Sequence, residues 1–165
     1  MEGNQSGSTT SGSLQPVVKQ LPSSSTATGD VDRPPAVNAK PRKNAFAIVI
    51  GTEQYREILP KADFADRDAT TVVEYLTKVM GYPDENVVVR INDKAARTDM
   101  EKYFENWLPN NVEKDSSVFI YYSGHGSPNT KTGEAYLVPY DGDPAFVDAT
   151  SYPLKRLYAH WTSSR

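Results

Sequence analysis

A histidine set between two glycines, in the run Ser123-Gly124-His125-Gly126-Ser127, is the part of this sequence best equipped for chemistry. Neutral imidazole near pH 7 takes a proton from a nucleophile and returns it to a leaving group. The flanking glycines let the backbone turn sharply and approach a ligand closely. The run follows directly on the apolar stretch Val118 to Tyr122. The imidazole is therefore projected from the carboxyl end of a predicted strand, where open α/β sheets gather their catalytic groups. The bland alternative is an ordinary loop capped by His125, but a polar ring between glycines is a poor packing choice.

Other candidate chemistry is thinner. Ser123 lies two residues from His125, yet no strand-to-helix elbow of the G-x-S-x-G kind surrounds it as a nucleophile. Asp141-Gly142-Asp143-Pro144 has too few oxygen ligands for calcium and reads as a turn. The sequence has neither G-x-G-x-x-G nor G-x-x-x-x-G-K-[ST], so the usual warrants for dinucleotide and phosphate binding are missing. Asp63, Asp66 and Asp68 are what a helix amino terminus favours, with an acidic pocket as the alternative. His160, beside Trp161, reads as a surface or rim histidine. The cysteine count is 0, which excludes disulfides, thiolate zinc sites and any thiol nucleophile within these residues.

The elements that would position these groups follow from hydrophobic periodicity. Phe46 to Ile50 is a continuous apolar run closed by Gly51, the pattern of a strand buried on both faces. A helix is predicted from about Phe64 to Met80, with Ala65, Ala69, Val72, Val73, Leu76 and Met80 on one stripe, Asp63 as cap and Gly81 as stop. Val87 to Ile91 is a second strand. Thr98 and Glu101 have capping-box spacing, and Met100, Tyr103, Phe104, Trp107 and Leu108 fall at helical intervals before Pro109. Val118 to Tyr122 is the third strand. A shorter strand at Ala135 to Val138 and a helix at about Pro153 to Trp161, striped with Leu154, Leu157, Tyr158 and Trp161, complete the order. Right-handed β-α-β-α-β connections give an α/β fold, a mostly parallel sheet with helices on both faces. Its third strand carries an open edge if the sheet grows on that side.

Residues 1–43 differ in kind from the rest. They hold 4 Gly, 7 Ser, 4 Thr and 5 Pro and none of the aromatic residues. Such a segment buries too little surface to offset an ordering entropy of roughly 1 to 2 kcal/mol per residue, so a disordered linker is expected there. Residues 44–165 form the predicted domain. The net charge of the chain is -3, without the basic excess of a nucleic-acid binder. No apolar run approaches the ~18 residues of a membrane span, and no signal-peptide core is present, so a cytoplasmic location is expected.

The segments FAIVIGTEQY, FADRDATTVVEYL, the strand ending YYSGHG, and GEAYLVPYDGDP together resemble the large-subunit half of a caspase-like cysteine peptidase, in its bacterial, metacaspase-like branch. The resemblance spans about residues 44 to 161. It implies a caspase-hemoglobinase sheet with helices on both faces, and peptide-bond hydrolysis by a Cys-His dyad acting on a protein or peptide substrate. By that resemblance His125 is the general base, the backbone N–H of Gly126 helps form the oxyanion hole, and Ser123 lines the pocket for the side chain before the scissile bond. Asp68 would supply negative charge to that pocket, as metacaspases use to select Arg or Lys, with Asp66 a near neighbour of the same chemistry. The resemblance allows for calcium, which no motif here supports, and implies no other cofactor.

The family places its nucleophile after a further strand, in a stretch resembling D-A-C-x-S-G, and no such stretch occurs in these residues. Loss of the nucleophile from such a machine costs on the order of 10⁶ in rate. The 165-residue chain is therefore expected to be inactive alone. It would be the portion of a cysteine endopeptidase that ends before the Cys-bearing strand, pairing with that portion or self-associating through the open sheet edge. The alternative is a catalytically dead caspase-like module that binds partners.

Overall fold

The computed structural model describes residues 30–37 and 39–163. Most of the predicted linker, residues 1–29, lies outside them, as does the side chain of Trp161. Three parallel strands form the central sheet in the order β2-β1-β3: β1 (Ala45–Gly51), β2 (Val87–Ile91) and β3 (Ser117–Ser123). β1 is the middle strand, and its side chains are the most deeply buried of the three; Ala47, Ile48 and Val49 are 0% exposed. Its register sets Gly51 opposite Ile91 on one side and Ser123 on the other, so all three strands end at one rim.

Side-chain alternation along β1 builds two cores. Ala45, Ala47 and Val49 meet Ala69 and Leu76 of the first helix, with Tyr82 at the margin. Ile48 and Ile50 meet Met100, Tyr103, Phe104, Leu108 and Tyr152. The first helix, α1 (Ala65–Glu74), continues as a π-helical stretch (Tyr75–Val79) whose widened turn shows in the Met80 N–H to Tyr75 carbonyl bond. Gly81 stops it with φ +74, and the Lys40 carbonyl oxygen stands 2.3 Å from where a Cβ on Gly81 would be. Only glycine satisfies both conditions.

The second helical run comprises α2 (Arg97–Glu101), a π-helical stretch (Lys102–Trp107) and α3 (Leu108–Asn111). After β3 the chain forms a small antiparallel sheet, β4-β5-β6, from β4 (Gly126–Pro128), β5 (Ala135–Leu137) and β6 (Tyr152–Pro153), with α4 (Val147–Thr150) between the last two strands. The final helix, α5 (Leu154–Ser163), is tied to the second helical run by Arg156, which meets Glu101 at 3.1 Å and Glu105 at 2.6 Å.

Several sequence expectations need correction. Asp63 does not cap α1: the cap position is Phe64, left-handed at φ 71, and no side chain bonds there. Met80 leaves the buried stripe and is 42% exposed, because the π-helical turn rotates it away from the sheet. Thr98 and Glu101 form no capping box. α2 starts after Ala96, and a residue far along the chain supplies the cap, with Asp141 Oδ1 accepting from the Arg97 N–H at 2.8 Å. Pro109 does not end the helical run; it lies near the start of α3, and the helix continues to Asn111.

Candidate functional site

The rim where β1, β2 and β3 end carries the polar groups. The Thr52 N–H donates to the Ser123 carbonyl at 2.8 Å, extending the β1–β3 pairing by one bond and fixing the base of the His125 loop. Beyond it, the imidazole of His125 stacks on the ring of Tyr55, with centroids 4.9 Å apart and planes at 19°. His125 Nε2 lies 2.7 Å from the carbonyl oxygen of Pro60. A carbonyl can only accept, so Nε2 carries the hydrogen and Nδ1 keeps the lone pair that makes the ring a base.

The His125 peptide is held on both sides. Its N–H donates to the Tyr55 hydroxyl at 2.6 Å. Its carbonyl accepts from the Val138 N–H at 2.9 Å and lies 2.7 Å from the Tyr122 hydroxyl. The Tyr122 hydroxyl is also 2.8 Å from the Val138 carbonyl, so its single hydrogen serves two acceptors. Burial, then the neighbouring Tyr55, pushes the Tyr122 phenol far above the usual tyrosine range, and it stays a neutral donor. Burial raises Tyr55 as well. A Cβ at Gly124 would sit 2.7 Å from the Tyr122 hydroxyl and 3.0 Å from that of Tyr55, so the first glycine of the run makes room for the two phenols.

Gly126 opens β4 opposite Leu137. Because the His125 carbonyl is taken by Val138, the alternation of an antiparallel ladder turns the Gly126 N–H away from β5.

Acidic groups gather on the β2 side of the rim. Asn92, left-handed at φ 47, accepts through Oδ1 from the N–H groups of Glu53 at 2.9 Å and Gln54 at 3.1 Å. Its Nδ2 donates to Asp66 at 3.4 Å. Glu53 holds its proton to higher pH than an ordinary glutamate, first because it hydrogen-bonds Asp66, then through desolvation and the Asp66 charge. Asp68 is half-buried further along α1, its N–H bonded to the Phe64 carbonyl.

Among the predicted site residues, Ser123, His125 and Gly126 are brought together by chain continuity at the end of β3, and Asp66 is tied to the strand ends through Asn92. His160 stands elsewhere, 3.7 Å from Glu105 on the α5 side. Asp141 and Asp143 act as caps, the latter accepting from the Ala145 N–H at 2.8 Å. Sequence reasoning missed Tyr55, Pro60, Asn92 and Tyr122. Asn92 had a usable signal, since asparagine tolerates left-handed backbone at the end of a strand. A backbone carbonyl such as that of Pro60 has none.

A family model described as the caspase domain of peptidase C14 matches residues 44–157. Among solved structures, a crystallised protein of Geobacter sulfurreducens, a structural-genomics target, is similar at 17% identity and a TM-score of 0.48. The match covers 72% of this chain and 44% of that one, so the chain spans less than half of that protein's length. No match was found among curated proteins. No described helix is long and apolar enough to cross a membrane. The family model takes in the whole central sheet, both packed helical faces and the histidine loop, and the chain belongs to the caspase-domain family.

Proposed function

We propose that these residues are the base-bearing portion of a cysteine endopeptidase of the caspase class, cleaving protein or peptide substrates. The observation that carries the reading is the Nε2 contact of His125 with the Pro60 carbonyl at 2.7 Å, which leaves Nδ1 as the basic atom at the strand rim. In this reading Nδ1 takes the thiol proton and later gives it to the leaving amine. The Gly126 N–H stabilises the oxyanion, Ser123 lines the pocket for the side chain before the scissile bond, and Asp68 supplies its negative charge. With 0 cysteines, the thiol has to come from outside these residues, from a segment that continues the sheet beside β3.

The test is incubation of the chain with Arg-, Lys- and Asp-containing fluorogenic peptides. The expected result is no turnover by the chain alone, and turnover once a strand bearing a cysteine is supplied, lost again in His125→Ala. Turnover by the chain alone that vanishes in His125→Ala would overturn the requirement for an added thiol. The same absence of cysteine favours one second reading, a catalytically dead module that binds partners. An in-frame coding continuation with an apolar strand followed by D-A-C supports the peptidase; a stop codon with stable expressed protein supports the module.

A further inference from the structure

The loop between β1 and α1 does more than donate the Pro60 carbonyl. It is pinned near both ends, by the Arg56 N–H on the Tyr140 carbonyl at 2.8 Å and the Ala62 N–H on the Glu53 carbonyl at 3.1 Å. It presents both Tyr55, just before the first pin, and Pro60, just before the second, to the same imidazole. The Pro60 contact fixes the position of Nε2 but leaves the ring free to swing about that point, and Nδ1 would swing with it. A second restraint is needed for Nδ1 to keep one direction. The Tyr55 ring, stacked 19° from parallel to the imidazole at 4.9 Å, supplies it, and the Tyr55 hydroxyl at the same time holds the His125 N–H at 2.6 Å.

We propose that Tyr55 is a positioning residue for His125, its ring setting the plane of the imidazole and its hydroxyl holding the His125 peptide. The role of His125 as base rests on the function proposed above; the placement of its ring by Tyr55 does not. The arrangement has a further effect on the loop. Two successive N–H groups, those of His125 and Gly126, follow the end of β3, and neither pairs with β5. Because Tyr55 occupies the first, the second is the one open to an incoming oxygen. Tyr122, on the opposite side of the peptide, closes the hold by reaching the His125 carbonyl at 2.7 Å.

The test uses the full chain, nitrogen-labelled, and reads the His125 ring and amide by NMR. The sequence has 2 histidines, so His160→Gln assigns the signals. In the unsubstituted protein the neutral ring is expected in one form, with hydrogen on Nε2; a ring protonated on Nδ1 instead would overturn the proposal. Tyr55→Phe keeps the stack and removes the hydroxyl. The ring form is expected to persist while hydrogen exchange at the His125 amide quickens about tenfold. Tyr55→Leu removes both restraints, and the plane of the imidazole is expected to become averaged, read as loss of the nuclear Overhauser contacts of its ring hydrogens, while the Nε2 hydrogen held by Pro60 persists. A merely space-filling tyrosine would lower the melting temperature in each variant and leave the ring plane fixed and the amide protected, which would overturn the proposal. If Tyr55→Leu fails to fold, Tyr55→Phe decides alone, since unchanged exchange at His125 refutes the hold. Failure of peptidase activity when a thiol is supplied would remove the base reading and leave these spectra unaffected.

Discussion

The two faces of β1 are packed by opposite means. Toward α1 the strand shows Ala45, Ala47 and Val49, and the helix answers with Ala65 and Ala69. Small side chains let the backbones close in: a Cβ on Gly51 would stand 2.5 Å from the Ala65 carbonyl oxygen and 2.7 Å from the Ala69 Cβ. Toward the second helical run the strand shows Ile48 and Ile50, and the space is filled by Met100, Phe104, Leu108 and Tyr152, with Phe104 and Tyr152 in ring contact at 5.2 Å. One face is secured by proximity and the other by volume. The first should resist additions and the second removals.

Substitutions of opposite sense sharpen that contrast. The largest effect is expected from Phe104→Ala, which empties the volume-filled face and should cost about 3 to 5 kcal/mol by chemical denaturation. Gly51→Ala adds one methyl to the close-packed face. It meets a backbone oxygen that cannot step aside, and about 1 to 3 kcal/mol should be lost. A Gly51→Ala protein that melts like the original would break the comparison. Asp141→Ala removes the acceptor for the Arg97 N–H and should cost about 1 kcal/mol, on the volume-filled side alone.

The smallest effect concerns the rim shared by both faces. Glu53 holds its proton to higher pH in the folded protein than its ordinary value of 4.5, chiefly through its bond to Asp66. A carboxyl raised on folding stabilises below its unfolded value, and that contribution is lost as pH rises through the folded one. At neutral pH two carboxylates face each other, so Glu53→Gln should raise the melting temperature slightly there and give no gain below pH 4.5. A gain of equal size at both pH values would show that the proton between Glu53 and Asp66 is not the cause.

The contrast also explains which parts of the fold were legible in the sequence. Continuous apolar runs such as Phe46 to Ile50 and helical stripes such as Ala65, Ala69 and Leu76 are local patterns, and they predicted the sheet and both helical faces. The ends of the helices were not legible, because their caps are not local. Asp141 reaches α2 across 44 positions, and α1 begins on a left-handed Phe64 that no propensity favours. Strands of two or three residues, β4, β5 and β6, are too short to show a period, and only Ala135 to Val138 stood out. In the site, His125 announced itself through its glycines. Its partners did not: Tyr55 is 70 positions away and Pro60 contributes a main-chain oxygen from 65 positions away.

The bond from the Arg42 N–H to the Gly81 carbonyl at 2.8 Å, with the Lys40 carbonyl seated against Gly81, secures the entering chain at the amino end of the sheet. β1 then runs 7 residues to the rim, about 20 Å at ~3.3 Å per residue. The central strand is therefore a built-in ruler. A fluorophore attached at Lys40 and a quencher on the β3 rim would hold a fixed separation while the sheet is intact. A change in energy transfer between them would then report melting of the domain.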